Sequence, residues 1–289
     1  MRSLRHAPPP HSVLVVAAHP DDIEFMAGGT LASWIEQGTQ VHYLLVTDGG
    51  GGSRDPNQTA ESLGSQRRRE QRAAAEILGV ASVRFLGYRD AEVEASLELR
   101  LAIARAIRQV RPEAVLTFDP QRYYHSTGIN HPDHLAVGAS TLAAVMPLAN
   151  TLLAAPALAA EGLAPHDVGT VYLFDPAAAT AWMPLAQRDV ERKLAALEAH
   201  RSQLIGWDAS EAAYAAMSQA AQLARANGVQ CALAEAFTVV QLAEPALRVG
   251  AHAKPGRNIP AAVQGRVAGL AYSMRQAIVR LSLHARPRY

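Results

Sequence analysis

The sequence predicts an α/β fold: a Rossmann-like, mostly parallel sheet with helices on both faces and a metal site at the carboxyl ends of its strands. Two observations carry this. Short β-branched apolar runs begin at Val13, Val41, Val83 and Ala114 and alternate with longer helix-like segments. Such runs suit strands buried on both faces of a parallel sheet. Several of them also end abruptly in turns rich in His, Asp or Gly, where open α/β sheets place their sites.

The first run, Val13 to Ala18, breaks into His19-Pro20-Asp21-Asp22. Pro20 fixes φ and lacks a donor, so it ends the strand. One imidazole and two carboxylates suit a divalent metal, usually zinc. The same residues also suit a turn that caps the next helix. That helix is led by Gly28-Gly29 and ends near Gly38. The glycine pair lacks the dinucleotide spacing and fits close backbone packing instead. A second strand, Val41 to Thr47, runs into Asp48 and the flexible loop Gly49 to Ser53. No Lys-Ser/Thr follows it, which argues against a phosphate cradle.

A helix from Ser65 to Leu78 carries Arg67, Arg68, Arg69 and Glu70, with Gly79 as its stop. A charge run of this kind is ordinarily a solvated face. Val83 to Leu86 forms a third strand, followed by Asp90 in a turn. Leu97 to Val110 is an amphipathic crossover helix, and Ala114 to Phe118 a fourth strand. The long loop from Asp119 to Asn130 delivers His131-Pro132-Asp133-His134, again just before a helix, Leu135 to Met146. Loops of this length in compact domains are more often functional than idle. Leu148 to Pro165 has few landmarks; Val171 to Phe174 is a strand, Asp189 to Ser202 a helix, and Phe237 to Leu242 a last strand.

A catalytic zinc wants about three protein ligands and an open position, and two converging loops can supply them. The paired motifs, from Val13 to Gln203 in order and spacing, resemble the PIG-L/LmbE-like zinc-dependent deacetylases of N-acetylated amino sugars. The resemblance implies that His19, Asp22 and His134 bind one zinc. It implies Asp21 as general base, and residue types alone do not tell the two aspartates apart. His131 is then the partner that stabilises the oxyanion as an imidazolium or returns a proton. Asp133 orients one of the histidines flanking it. Arg67, in the family pattern Arg-x-x-Glu with Glu70, and Asp90 contact the sugar. Lys193, His200, Ser202 and Gln203 fit a further family pattern, with His200 behind the ligands or simply a helix-dipole partner. One departure stands out: a Tyr of the family's sugar-conjugate amidases is Ile129 here, with Tyr123 or Tyr124 as substitutes from the same loop.

The totals fit this reading. The chain has 289 residues, 49% hydrophobic and 18% charged, enough for one large core. A formal net charge of +1 gives no argument for nucleic acid. The single Cys231 rules out an internal disulfide framework. No apolar run is long enough to span a membrane and no signal-peptide core is present, which points to a cytoplasmic protein. The expected organisation is a flexible lead-in (1–12), a deacetylase domain (13–244) and a basic helical extension (245–289). That extension contains Arg248, Lys254, Arg257, Arg266, Arg275, Arg280, Arg286 and Arg288 and no acid. It reads as a helix packed on the domain or on a second copy in a homo-oligomer, with contact to an anionic membrane surface as the other reading. The expected substrate is a small N-acyl amino sugar. The other readings are a metal-dependent amidase of a thiol or glycopeptide conjugate, and a non-catalytic sugar- or nucleotide-binding module.

Overall fold

The computed structural model describes residues 2–4, 8–125, 128–204 and 208–242. The chain divides into two compact units, Met1–Glu244 and Pro245–Tyr289. The second unit, and with it the expected basic extension, lies outside the described residues.

In chain order the first unit holds β1 (Arg2–Ser3), β2 (Ser12–Ala17), α1 (Asp22–Glu36), β3 (Gln40–Thr47) and α2 (Ala60–Leu78). Then come β4 (Ser82–Tyr88), α3 (Leu97–Val110), β5 (Ala114–Phe118), a two-strand hairpin of β6 (Tyr124–His125) and β7 (Gly128–Ile129), and α4 (Pro132–Ala143). After α5 (Pro156–Ala160) follow β8 (Thr170–Phe174), β9 (Ala181–Pro184), α6 (Gln187–Glu198), α7 (Ala209–Ala226) and β10 (Ala234–Gln241). The main sheet has eight strands in the order β1-β9-β10-β8-β5-β2-β3-β4. The five strands from β8 to β4 are parallel, and β10 is antiparallel to both β8 and β9. In β2, Val13 to Ala17 are all fully buried, as a central strand covered on both faces requires. Helices α1, α2 and α6 pack together as one layer, and α3 and α4 as another.

Register places the site. β2 pairs with β3 on one side and with β5 on the other. The chain leaves β2 for β3 and β4 in one direction, then returns past β2 to β5. The crevice beyond the carboxyl ends of β2 and β5 is therefore the topological switch point of the sheet. His19 follows β2, and the loop after β5 leads to His131, the cap of α4, with His134 in the first turn of that helix.

Some boundaries differ from those the sequence predicts. The lead-in is in part structured: Arg2–Ser3 pairs in parallel with β9, and Leu4 is 3% exposed because it joins the core. Helix α1 begins at Asp22, so Gly28 and Gly29 lie inside it. A Cβ on Gly29 would meet Leu185 at 2.7 Å, so the close packing is real but falls between α1 and the segment leading into α6. Helix α2 begins a turn early, at Ala60, because Thr59 and Ser62 form a reciprocal cap. The α6 helix stops at Glu198, and His200 stands between it and a short 3₁₀ turn, Arg201–Gln203. His200 is thus not in the last turn of an α-helix. Helix α7, rich in alanine, has no counterpart in the sequence reading.

Candidate metal centre

The turn after β2 is built around one strained residue. Asp21 sits at φ 91°, in the left-handed region, immediately before α1. A non-glycine residue there costs on the order of 1–2 kcal/mol, least for Asp or Asn. Its surroundings hold it in place. The Asp21 amide donates to Gln71 Oε1 at 3.1 Å. Arg67 Nη2 donates to the Pro20 carbonyl at 2.6 Å and to Asp21 Oδ2 at 3.2 Å, while Nη1 donates to the Gly49 carbonyl at 2.8 Å. The fold over Asp21 turns the two adjacent carboxylates apart. The Asp22 side chain is 8% exposed and points between His19 and His134; that of Asp21 is 31% exposed and meets Arg67.

His19, Asp22 and His134 each offer a ligand atom, and these atoms lie within 4.8 Å of one another. Asp22 Oδ1 is 3.2 Å from His134 Nε2, and Asp22 Oδ2 is 3.5 Å from His19 Nδ1. Two imidazoles and a carboxylate converging this way fit a divalent cation of the zinc kind. The electrostatics agree. Burial would lower the pKa of His19, but the carboxylates of Asp133, Asp22 and Asp90 push it up to about 11. The Asp22 carboxyl is held below its ordinary range, with His134 and His19 overcoming the effect of burial. A pocket that draws positive charge this strongly suits a cation.

The second imidazole is oriented by Asn130, which the sequence reading passed over. Asn130 Oδ1 accepts from His134 Nδ1 at 2.9 Å and from the His131 amide at 2.8 Å. The proton is thereby fixed on Nδ1 and Nε2 is left free toward Asp22. Phe118 stacks on the His134 ring, with centroids 3.9 Å apart.

His131 caps α4: its Nδ1 accepts from the Asp133 amide at 3.2 Å. Nδ1 therefore carries no proton, and burial together with the charge on His19 lowers the pKa of the ring. The cap bond leaves the donor of the His131 ring on Nε2. Asp133 is fully buried and turns away from the histidines that flank it. Its Oδ2 lies 3.2 Å from His19 Nε2, and it accepts from the amides of Ala91 and Val93. Its carboxylate Oδ1 lies 3.9 Å from His131 Nδ1.

Asp90 is brought to the site but is already engaged. Its Oδ1 is 3.0 Å from His19 Nε2 and its Oδ2 accepts from Gly51 at 2.9 Å. His19 pulls its pKa down to about 2. Asp90 also joins His19, His131 and Asp133 in a second group of mutually close ligand atoms. Arg67 is 4% exposed and braces the loops after β2 and β3; the glycine run is wrapped on it. Gly49 has φ 68°, and a Cβ there would fall 2.4 Å from the Arg67 guanidinium carbon. His200 is 1% exposed, with Nε2 3.3 Å from Glu24 Oε2. Gln71 links Glu24 to the Asp21 amide. Ile129, at the position of the family tyrosine, is 88% exposed and stands across the hairpin from Tyr124.

Fold and site together define an α/β protein with a His-Asp-His group that could hold a metal ion in its switch-point crevice. Residues 14–145 match the family model "PIG-L: GlcNAc-PI de-N-acetylase". The chain is 34% identical over 197 residues to the diacetylchitobiose deacetylase of Thermococcus kodakarensis, covering 66% of this chain and 69% of that relative. The structure resembles N,N'-diacetylchitobiose deacetylase from Pyrococcus horikoshii, with a TM-score of 0.73 and 26% identity over 82% of this chain and 87% of that one. A third relative, the 4-oxalmesaconate hydratase of Pseudomonas putida, is 32% identical over 218 residues, 69% of this chain and 77% of its own. The chain belongs to the PIG-L family of N-acetyl amino-sugar deacetylases. Among the described residues, no helix is long and apolar enough to cross a membrane.

Proposed function

We propose that this chain is a zinc-dependent hydrolase that removes the acyl group from an N-acylated amino sugar. The observation that carries the reading is the placement of Asp21: a carboxylate next to the ligand Asp22 in the chain, outside the ligand group but on the same cavity wall, held by Arg67 and raised in pKa. Its recessed position, opposed by Arg67 and reinforced by Asp22, pushes Asp21 up to about 6. General bases work best with a pKa near the operating pH. A binding module has no use for such a group.

Held by His19, Asp22 and His134, a divalent cation supplies Lewis acidity, acidifying water and polarising a carbonyl; zinc suits the donors, and iron or cobalt takes the same set. Asp21 collects the proton of the attacking water as its oxygen bonds to the amide carbon. The Nε2–H of neutral His131 donates to the carbonyl oxygen as negative charge builds there. Collapse breaks the carbon–nitrogen bond, and the amine leaves with the proton that Asp21 collected. Asp133 and Asp90 keep His19 turned toward Asp22. The carboxylate of Asp90 and the glycine loop beside it form a polar wall suited to sugar hydroxyls.

A second reading rests on the hydratase relative: the same residues could deliver water to an activated alkene. One assay separates the two. The metal-loaded protein is offered N-acetylglucosamine, diacetylchitobiose and 4-oxalmesaconate. Amine and acetate release supports the proposal, and hydration of the alkene without amine release overturns it.

A further inference from the structure

A cavity of about 300 Å³ adjoins the site on the α1–α6 side. Phe25, Met26, Leu197 and Leu204 wall it, His200 closes one side, and Asp21 and Asp22 line it where it meets the metal group. Phe25 and Met26 follow the two aspartates on the first turns of α1, and Leu197 lies near the end of α6, against which α1 packs. The space is therefore set by the same helix that positions the chemistry. Neither Asp90 nor His131 lines it.

We propose that this cavity holds the acyl chain of the substrate, and that the chain prefers N-acyl groups longer than acetyl. The inference rests on the hydrolase reading above. The reacting carbon has two substituents besides oxygen: the amine-bearing sugar and the acyl chain. The wall beyond His19 is polar, made by Asp90 and His131, and it suits hydroxyl groups. The wall beyond Asp21 is mostly aliphatic and aromatic, and it suits a hydrocarbon. An acetyl methyl is about the size of a water molecule, whose share of liquid volume is ~30 Å³. It would leave most of this cavity without contacts, which forfeits the burial that each further methylene supplies.

The test measures kcat/KM for amine release by the metal-loaded enzyme from N-acetyl-, N-butanoyl- and N-hexanoylglucosamine, with octyl N-acetylglucosaminide as a control for an apolar aglycone. The hexanoyl substrate is expected to exceed the acetyl one by about tenfold or more. Met26→Trp, which fills the space, is expected to abolish that ratio, and Leu204→Ala to move the optimum to a longer chain. Because the readout is a ratio of two substrates on one protein, partial loss of folded enzyme does not affect it. A ratio of one or less overturns the cavity inference and leaves the hydrolase reading standing. So does a gain confined to the octyl glycoside, which would assign the cavity to the aglycone. No amine release from any of the four overturns both readings.

Discussion

Arg67 Nη2 lies 3.2 Å from Asp21 Oδ2 and 2.6 Å from the carbonyl of Pro20, so one buried guanidinium fixes both the backbone and the carboxylate of the strained turn. This changes the expected failure of Arg67→Ala. A sugar-contacting arginine would mainly raise KM. An arginine that aims the base should mainly lower kcat, by ~10²-fold, as misplaced general bases do. Steady-state kinetics on Arg67→Ala and Arg67→Lys decide between them. A pure KM effect would return Arg67 to the substrate.

Asn130 makes a comparable prediction for the metal. Asn130→Ala removes the acceptor that fixes the His134 tautomer, and affinity for zinc should fall by about 10–100-fold with little change in fold. Competition against a chelator of known affinity measures it. Unchanged affinity would show that Phe118 stacking alone orients the ring.

The pH dependence of stability follows from His200. Burial alone would lower its pKa, but Glu24 and Asp21 outweigh burial and the opposing Arg67, and the net shift is upward. A raised histidine contributes stability that is complete below its unfolded pKa of ~6.5 and is lost as pH rises through the folded value. Wild-type protein should therefore lose denaturant stability from pH 6.5 upward relative to His200→Gln. Parallel pH curves for the two proteins would show that His200 is neutral in the fold.

A buried ion pair ties α1 to α6 and β10. Lys193 Nζ is 2.6 Å from Glu235 Oε1 and donates to the Phe25 carbonyl, while Glu235 accepts from the amides of Gly29 and Thr30. Removing one partner strands the other, at a cost of about 3–5 kcal/mol. Lys193→Met and Glu235→Gln should each lower Tm by on the order of 10 °C, and the double variant by less than the sum. Calorimetry gives all three values, and additive losses would contradict a coupled pair.

The parallel core and the meeting of two loops were legible in the sequence because both rest on strong local signals. A β-branched run ending in His-Pro marks a strand and its terminus without any tertiary information. Orientation was not legible. Nothing in the chain near Asp133 says that it turns to His19 and not to the histidines beside it; that follows from the amides of Ala91 and Val93, a separate loop. The neutral state of His131 depends on its capping of α4, and the burial of Arg67 on a glycine loop that reads as flexible until the guanidinium it wraps is seen. Helix α7 was missed because its buried face is mostly alanine: Ala209, Ala213, Ala221 and Ala224 recur at helical spacing but cannot be told by residue type from Ala215 and Ala216 on the exposed side.

Metal content separates the roles of the two adjacent aspartates. Asp21→Asn keeps a residue that tolerates the left-handed turn and leaves all three ligands. Asp22→Ala removes one ligand of three. Zinc is measured by elemental analysis on both purified variants, with kcat at excess zinc alongside. Asp21→Asn is expected to hold one zinc per chain and to turn over ~10²-fold more slowly or worse, while Asp22→Ala is expected to be largely metal-free. A metal-free Asp21→Asn beside a zinc-loaded Asp22→Ala would reverse the roles and contradict this assignment.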